Sequence, residues 1–324
     1  QTCALPIYRP TEQHEFGGYF TGLNYKPRNS HLDMTQAESL LLNEDPPQPN
    51  YTGWWYTCMP VQTVAKYSLP LPLFIKADDI EYGMRAIEHL ILLSGIAIWH
   101  QDFTLKYNPV MDYYLKRNEL ILSTLRFKIG SFKQSLKFLY SSFIQLALKR
   151  YFCAELIIKA YQDFFSGYQF LIEQDMEKLN REIMNYQPQF YDNAELEQRF
   201  HVDIAEGLEK VKVKNPKRNI FRKAILTIEN FMPSFLFRKK PIVVDANSTR
   251  ARPLFLKKTS IHYDTNREQG YICEFDSKRR RKIRRQIFGM YFRILFKYRK
   301  LKAEYQKHYP ETCSLEEWNR KFEI

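Results

Sequence analysis

Residues 74–103 read FIKADDIEYGMRAIEHLILLSGIAIWHQDF, and this stretch indicates the fold class more clearly than any other part of the chain. A strand pattern that ends near Asp78 passes into helical spacing over residues 80–90. Residues 91–99 are then continuously apolar and end at His100. Strand, helix and strand in this order predict one unit of an α/β fold with a parallel sheet. Since ligands of such folds bind outside the carboxyl ends of the strands, we expect Asp78 and His100 to face one ligand.

The length and composition indicate a globular protein with room for two domains. The chain has 324 residues, of which 44% are hydrophobic and 26% charged, a composition typical of a globular and not of a disordered protein. Its five cysteines are scattered and form no Cys-x-x-Cys pair, so we expect a reducing, cytoplasmic setting without a disulfide framework or zinc site. The formal net charge of +13 favours an anionic partner, which could be nucleic acid, a membrane face or a nucleotide diphosphate.

The remaining pattern predicts loops and short strands before this stretch and mostly helices after it. Residues 8–53 are rich in turn residues, residues 53–60 are expected to form a bulky aromatic strand, and residues 60–66 a short helix. Helical spacing continues over residues 110–127, 132–150, 151–185, 193–211 and 278–309, with a break at 186–192, an irregular connector over 215–253, short strands within 254–275 and a capping box that begins at Ser314.

Three carboxylates, those of Asp78, Asp79 and Glu81, lie at the predicted start of the first helix. Acidic residues are common there because they satisfy free backbone N–H groups and the helix dipole, and Asp79 is placed as the N-cap. The functional interpretation is that one carboxylate, kept ionised by the helix N-terminus, takes a proton from an attacking hydroxyl. Neighbouring residues of a strand point to opposite sides, so Asp78 and Asp79 are expected to have different roles.

Two further features suggest ligand contacts. A lone histidine is usually structural, but His100 ends an apolar strand beside Trp99, in the same unit as the acidic residues, which favours a metal-ligand role with partners elsewhere. Trp54 and Trp55 are neighbours on the predicted aromatic strand and should face opposite sides, one in the core and the other free to stack on a sugar ring.

The predicted helix over residues 278–309 is strongly basic at its start. Besides a solvated face, its cations allow nucleic-acid binding or adsorption to an anionic membrane. Apolar residues form a stripe between the charges and no nucleic-acid motif accompanies them, so docking on the domain or on a membrane is favoured over nucleic acid. The residues expected to contact a membrane or another anion are Arg279, Arg280, Arg281, Arg284 and Arg285.

Four segments together resemble family 2 glycosyltransferases of the bacterial galactofuranosyltransferase type, which build the galactan of cell envelopes. The segments are residues 51–60 (YTGWWYTCMP), 71–86 (LPLFIKADDIEYGMRA), 95–100 (GIAIWH) and 113–120 (YYLKRNEL). The order and spacing of these motifs make the resemblance specific over residues 51–120, and it is weaker over residues 121–324.

The resemblance implies a GT-A α/β nucleotide-sugar domain followed by a mostly α-helical C-terminal domain with a few short strands. It also implies inverting transfer from UDP-galactofuranose with Mn²⁺ or Mg²⁺. Asp79 would be the general base, supported by Asp78 and Glu81, and His100 would bind the metal. The residues expected to contact the acceptor or sugar are Trp54, Trp55, Trp99 and Phe103. The implied acceptor is a lipid-linked or polysaccharide glycan, and the implied setting is a homo-oligomer in the cytoplasm or on the inner face of the cell membrane.

The chain departs from the family pattern in two ways, of which the first suggests a fragment and the second leaves the acceptor or sugar preference open. The family's Asp-x-Asp metal motif and uridine-binding strands are not found in residues 8–50, and Phe103 stands where another Trp is common. We expect residues 8–103 to be a partial GT-A domain and residues 104–324 the helical C-terminal domain, and we expect the fragment alone to be nearly inactive. Residues 1–7 match the translation of a sequencing-adapter end and are expected to be non-native.

Two alternatives stay open. One is a family 2 glycosyltransferase that uses another nucleotide sugar, such as UDP-galactopyranose or UDP-glucose, which a panel of donors would distinguish. The other is a non-enzymatic basic module that binds RNA or a membrane. A steep salt dependence of affinity would favour RNA, and sedimentation with anionic vesicles would favour the membrane.

Overall fold

The computed structural model describes residues 17–21, 24–28, 32–33, 36–44, 50–51, 53–93, 98, 108–211, 228–248 and 253–322. Its helices are α1 (Ala37–Glu44), α2 (Val61–Tyr67), α3 (Asp78–Ala86), α4 (Met111–Leu125), α5 (Ser131–Ala147), α6 (Tyr151–Phe164), α7 (Gln169–Glu173), α8 (Met176–Met184), α9 (Asn193–Phe200), α10 (Ile204–Val211), α11 (Ser277–Thr312) and α12 (Leu315–Phe322). Its strands are β1 (Gly18–Thr21), β2 (Asn24–Pro27), β3 (Phe190–Asp192), β4 (Ile242–Asp245), β5 (Thr259–Asp264) and β6 (Gln269–Glu274). The described part of the chain is therefore a mixed structure in which helices predominate.

The largest hydrophobic core lies in a bundle of α4, α5, α6 and the long helix α11. Each helix turns an apolar face inward, and on α11 the buried side chains of Ile283, Ile287 and Ile294 recur at helical intervals. The helices predicted from hydrophobic spacing over residues 110–127, 132–150 and 278–309 are thereby confirmed, with ends that differ by a few positions. Within the described ranges, none of these helices is long and apolar enough to cross a bilayer.

The helical run predicted over residues 151–185 is divided into α6, α7 and α8. The division begins at Gly167, whose φ of 95° lies in the left-handed region that a right-handed helix cannot contain. A new helix start follows at Asp175, whose carboxylate accepts a hydrogen bond from the Lys178 backbone N–H at 2.9 Å and caps α8. Hydrophobic periodicity does not register such interruptions, which explains why one helix was predicted.

A four-stranded sheet packs beside the bundle, with the strand order β3-β6-β5-β4. Strands β5 and β6 pair antiparallel and confirm the short strands predicted within residues 254–275. Strand β4 pairs parallel to β5 and corrects the irregular connector predicted over residues 215–253, of which 228–248 and 253 are described. The prolines of that segment concealed β4, whose Val243 and Val244 are both buried.

Arg150 joins the bundle to this sheet. Its guanidinium donates to the Ala246 carbonyl at 2.6 Å and lies 2.9 Å from Nδ1 of His262 on β5. The other ring nitrogen of His262 lies 3.1 Å from the Ser260 hydroxyl, and the imidazole is fully buried. Burial, followed by the charges of Arg150 and Lys149, places the pKa of His262 well below 6.5. The neutral imidazole therefore belongs to the packing between α6 and the sheet.

An antiparallel hairpin of β1 and β2 lies near the start of the described chain and is joined by Tyr51. The Gly18 backbone N–H donates to the Tyr51 carbonyl at 2.9 Å, so Tyr51 continues the hairpin edge as an isolated bridge. The Tyr51 ring packs edge-on against Phe20 and Tyr25, with ring centroids 5.0 Å and 5.5 Å away. The hairpin thereby fixes the position of the Tyr51 side chain.

The strand predicted to end at Asp78 is absent from the described structure. The segment from Tyr67, the last residue of α2, to Ala77 pairs with no strand among the described residues, and we call it the strap. Pro70 and Pro72 lack the backbone N–H groups that a strand ladder needs. Side chains instead satisfy the strap's carbonyl groups. Arg85 donates to the carbonyls of Tyr67 and Leu69, Tyr82 donates to Ser68, and Trp318 donates to Pro70. From α4, Arg117 donates to the Leu73 carbonyl, and Asn118 donates to the carbonyls of Ile75 and Lys76.

Two other predicted strands also differ from the structure. Residues 53–60 form no strand: Trp54 and Trp55 lie in a turn, and the Trp55 ring comes within 3.1 Å of the place that a Cβ atom on Gly53 would occupy. Residues 91–93 and 98, the described part of the apolar run at 91–99, form no strand. The rest of that run and His100 lie outside the described residues. The short helix predicted at residues 60–66 is confirmed as α2.

Candidate active site

The three carboxylates lie in the first turn of α3, whose N-cap is two positions earlier than expected. Ala77, with a left-handed φ of 67°, is the N-cap, and its carbonyl accepts from the Glu81 N–H at 2.9 Å. The prediction that Asp79 is the N-cap is therefore wrong, because the helix begins at Asp78. One carboxylate oxygen of Asp79 instead accepts the Ile80 N–H at 2.8 Å. Acidic side chains in a first helical turn lie at the positive end of the helix dipole, where negative charge is stabilising.

The other carboxylate oxygen of Asp79 accepts a hydrogen bond from the hydroxyl of Tyr51. Tyr51 is buried and held by the hairpin, so its hydroxyl gives Asp79 a defined orientation. Sequence reasoning missed this contact, although Tyr51 opens the motif at residues 51–60. The pairing joins residues 28 positions apart, and nothing in local spacing predicts it.

Asp78 lies in a different environment from its neighbour. Loss of hydration raises the pKa of the Asp78 carboxyl above its usual value, and the nearby charge of Asp79 raises it further, against the lowering effect of backbone N–H groups and Lys76. Burial likewise lowers the pKa of the Lys76 ammonium beside them. The two aspartates therefore have different surroundings, but both lie on α3, so the strand alternation from which different roles were expected does not apply.

Glu81 points into the protein and is fully buried. It forms ion pairs with Arg85 and Arg126, each at 3.0 Å, and accepts the Tyr309 hydroxyl at 2.7 Å. These three partners come from α3 itself, from the residue that follows α4, and from the end of α11. Glu81 therefore fastens the acidic helix to the bundle and leaves no oxygen directed at a ligand.

The strap is fixed by two buried polar residues of α4. Asn118 donates to the Ile75 and Lys76 carbonyls at 2.8 Å and 2.7 Å, and Arg117 donates to the Leu73 carbonyl at 2.7 Å. The strap needs this support because Phe74, Lys76 and Ala77 all have positive φ, which is costly for residues other than glycine. The signal in the sequence was a charged residue and an amide on the otherwise apolar face of α4.

Trp54 and Trp55 differ in exposure, but not because of strand alternation. Trp54 packs edge-on against Tyr82 of α3 with a centroid distance of 5.4 Å, whereas Trp55 is 56% exposed. A Cβ atom added at Gly53 would lie 3.1 Å from the Trp55 ring and 3.6 Å from the Tyr51 hydroxyl. Because that hydroxyl also contacts Asp79, the Trp55 ring and the carboxylate lie around one small region of the surface.

Three of the predicted site residues, Trp99, His100 and Phe103, lie outside the described residues. Their convergence on Asp79 stays a prediction. Within the described ranges, no three His, Cys, Asp or Glu side chains come together in a way that could hold a metal ion.

The five arginines expected to contact a membrane or anion fall into two groups. Arg279 pairs with Glu155 at 2.6 Å, Arg280 donates to the Met232 carbonyl at 2.7 Å, and Arg284 donates to the Asn230 carbonyl at 2.8 Å. These three contribute to the attachment of α11 to its neighbours. Arg281 and Arg285 lie on the exposed side of α11.

Part of the chain is similar in sequence to one kind of known enzyme. No protein-family model matches the chain. It is 34% identical over 129 residues to galactofuranosyltransferase GlfT2 of Mycobacterium tuberculosis, which is 36% of this chain and 20% of that protein. It is 29% identical over 185 residues to galactofuranosyltransferase GlfT2 of Mycolicibacterium smegmatis, which is 50% of this chain and 28% of that protein. The chain thus spans 20% to 28% of these curated relatives, and over that part it is similar to galactofuranosyltransferases.

Proposed function

We propose that this chain carries the acceptor-activating part of a family 2 glycosyltransferase that moves a galactofuranosyl or closely related residue from a UDP-sugar to a glycan hydroxyl. Partial similarity to two galactofuranosyltransferases supports this function. The structural observation that carries it is the position of Asp79, at a helix N-terminus, held by the Tyr51 hydroxyl and close to the exposed ring of Trp55.

In the proposed reaction, Asp79 is the general base. It takes the proton of the acceptor hydroxyl as the acceptor oxygen forms a bond to the anomeric carbon and the bond from that carbon to the UDP oxygen breaks. One displacement inverts the anomeric centre and requires a single base without a covalent enzyme intermediate. The Tyr51 hydrogen bond on one oxygen of Asp79 directs the carboxylate, and Trp55 offers a flat apolar face to the C–H side of an acceptor sugar.

The proposal includes a divalent metal because the family that the chain resembles implies one. A bound Mn²⁺ or Mg²⁺ would neutralise the charge that develops on the UDP leaving group. The described residues do not by themselves assemble a site for it, so we assign no step to a metal. The residue proposed as a ligand is His100, and its partners are expected elsewhere. His100→Ala should raise the metal concentration required for half-maximal activity, and an unchanged titration would remove this residue from the metal site.

The decisive test of the base is Asp79→Asn. Transfer from UDP-galactofuranose to an oligogalactofuranoside acceptor should fall by about 10²–10⁴-fold while donor binding by calorimetry is retained. The assay is run on the longest natural chain that contains these residues, because the 324-residue chain alone is expected to be nearly inactive and the matched segments cover 28% or less of the relatives. Glu155→Gln, which removes a carboxylate on α6 away from α3, is the control for general effects of charge. Turnover within tenfold of the parent would end the assignment of Asp79.

The donor is tested separately with the parent protein. UDP-galactofuranose is expected to be turned over in preference to UDP-galactopyranose and UDP-glucose. A preference for either pyranose donor would support glycosyltransferase activity and would change the donor sugar that we propose.

A further inference from the structure

The first turn of helix α5 leaves its backbone N–H groups without acceptors. The N-cap of α5 is Gly130, which has no side chain to cap the helix, and no acidic residue lies in the first turn. Among the described residues, no acceptor pairs with the N–H groups of Ser131, Phe132 and Lys133. Unpaired N–H groups at the positive end of the helix dipole favour an anion at this helix start.

A cleft opens at this helix start, between the residues that lead into α5 and the C-terminal half of α11. Its volume is about 450 Å³, which lies within the range of small-molecule sites. The residues that line it include Gly130 and Ser131 at the start of α5 and three cationic residues, Lys128, Arg299 and Lys302. None of the described residues that line the cleft is acidic. Side chains and helix dipole therefore give the cleft the same, positive sign.

The three cations of the cleft differ in how they are held. The Lys302 ammonium donates to the Phe127 carbonyl at 2.9 Å, which fixes its position and leaves its other N–H groups for a ligand. Lys128 and Arg299 are exposed and form no hydrogen bond or ion pair with the described part of the chain. Their charges are therefore not neutralised by a described carboxylate.

A buried tyrosine hydroxyl is an independent indication of a ligand. Tyr298 also lines the cleft and is only 1% exposed. Its hydroxyl has no hydrogen-bond partner among the described residues, although a buried polar group without a partner costs free energy. Burial raises the pKa of Tyr298 above its usual value, so the hydroxyl keeps its proton and can donate it to an anion in a hydrogen bond.

We propose that this cleft binds the diphosphate group of a small soluble molecule. The backbone N–H groups, the Tyr298 hydroxyl and the three cations are all hydrogen-bond donors, and phosphate oxygens accept from each of them. One phosphate group carries about −1.5 to −2 charges at pH 7, so three cations match two linked phosphate groups better than one. No residue that lines the cleft belongs to the candidate active site, and the inference does not rest on sugar transfer.

Calorimetric titration of the whole chain with inorganic diphosphate, in buffer without divalent metal, tests the proposal. We expect saturable binding of diphosphate and weaker binding of orthophosphate. Lys128→Gln with Arg299→Gln should lower the affinity for diphosphate by about 100-fold, because two charge-assisted hydrogen bonds are lost. As the matched control, Lys178→Gln with Arg181→Gln removes two exposed cations from α8, whose start is already capped by Asp175, and should leave the affinity unchanged.

The source of the diphosphate group is distinguished by competition. UDP that displaces inorganic diphosphate, when uridine does not, would assign the group to a nucleotide. Failure of UDP to displace it would assign the site to free diphosphate.

A change at the N-cap of α5 separates the site from general effects of charge. Gly130→Asp introduces a capping carboxylate, since the backbone at Gly130 is extended and a Cβ atom there meets no atom within 4 Å. The variant should have a higher midpoint of thermal unfolding than the parent. Its affinity for diphosphate should be at least about 100-fold lower, because the carboxylate takes the same N–H groups and repels the anion. Gly130→Ala adds a Cβ atom without an acceptor and should bind diphosphate as the parent does.

Tyr298→Phe tests the buried hydroxyl. It should lower the affinity for diphosphate by about threefold to tenfold, while the free energy of unfolding without anion stays the same or rises. Lower stability of this variant without anion would overturn the proposal, because the hydroxyl would then already have a partner. Absence of binding up to about 10 mM diphosphate, parental affinity in the Gly130→Asp protein, or an equal loss in the α8 control would overturn it as well.

Discussion

The hydroxyl of Tyr51 donates a hydrogen bond to the carboxylate of Asp79, and this contact connects the N-terminal hairpin to the first turn of α3. The contact gives the proposed base a fixed direction. The proposed reaction therefore depends on Tyr51, although the Tyr51 hydroxyl itself neither gives up nor takes a proton in it. If Asp79 is the base, Tyr51 is a positioning residue for it.

Removing this hydroxyl by Tyr51→Phe should lower kcat by about 10–100-fold and leave the acceptor KM nearly unchanged, because the orientation of the base matters in the transition state and not for binding. Steady-state kinetics over a range of acceptor concentrations measures the two constants. Tyr25→Phe removes a hydroxyl from the same aromatic cluster and leaves the hydrogen bond from Tyr51 to Asp79 in place. This variant should therefore keep kcat within about twofold of the parent value. A rise in KM alone would show that Tyr51 contacts the acceptor instead.

Asn118→Ala should destabilise the protein and disable the site together. It leaves the carbonyls of Ile75 and Lys76 without their side-chain donor, and we expect the free energy of unfolding in urea to fall by about 2–4 kcal/mol. Because the strap leads directly into Asp78, kcat should fall as well. Asn230→Ala is a control for stability, since this buried amide donates to the Phe143 carbonyl of α5, which is not part of the strap. An Asn118 variant with parental kcat would show that the strap does not position the carboxylates.

Glu81→Gln should act on stability. The change leaves Arg85 and Arg126 with a neutral partner at a fully buried position, and the expected cost is about 3 kcal/mol in urea unfolding. Glu119→Gln breaks two partly exposed ion pairs, with Lys116 and Lys137, and should cost about 1 kcal/mol or less. Equal costs for the two variants would contradict the role given to Glu81 in fastening α3.

Because the imidazole of His262 is buried, we expect the folded protein to lose stability in mild acid. In the folded protein its pKa is well below 6.5, since burial and the charges of Arg150 and Lys149 oppose protonation. The unfolded chain binds a proton near the ordinary value, so stability is retained above about pH 6.5 and falls below it by up to about 1.4 kcal/mol per pH unit.

Urea unfolding between about pH 7 and pH 5 measures this slope. His262→Gln should flatten it, while His201→Asn, at an exposed histidine with left-handed φ, should leave it in place. If His262→Gln fails to fold, chemical-shift titration of the parent imidazole gives the same answer. A resonance that titrates near pH 6.5 would be inconsistent with the buried neutral ring.

Part of the candidate site could be read from the sequence before any contact was known. Asp78, Asp79 and Glu81 were expected at a helix start, and they lie there because carboxylates match the free N–H groups of a first turn. Different roles for the two aspartates were expected from strand alternation, which does not apply because both lie on α3, so their roles stay a prediction. The inward direction of Glu81 was not expected, because its partners Arg126 and Tyr309 are 45 and 228 positions away.

The sequence by itself determined the helices, since α4, α5 and α11 follow from apolar residues at helical intervals, and the Ser314 hydroxyl accepts the Glu317 N–H at the predicted helix start. These are local properties, and each is encoded within a few turns of chain. Tertiary structure alone decided that residues 67–77 form a strap instead of a strand. Its prolines prevent a ladder, and its carbonyls find donors in Arg117, Asn118 and Trp318, which only folding brings to them. The Tyr51–Asp79 contact has the same origin, because a hydrogen bond between distant residues depends on where the rest of the chain places them.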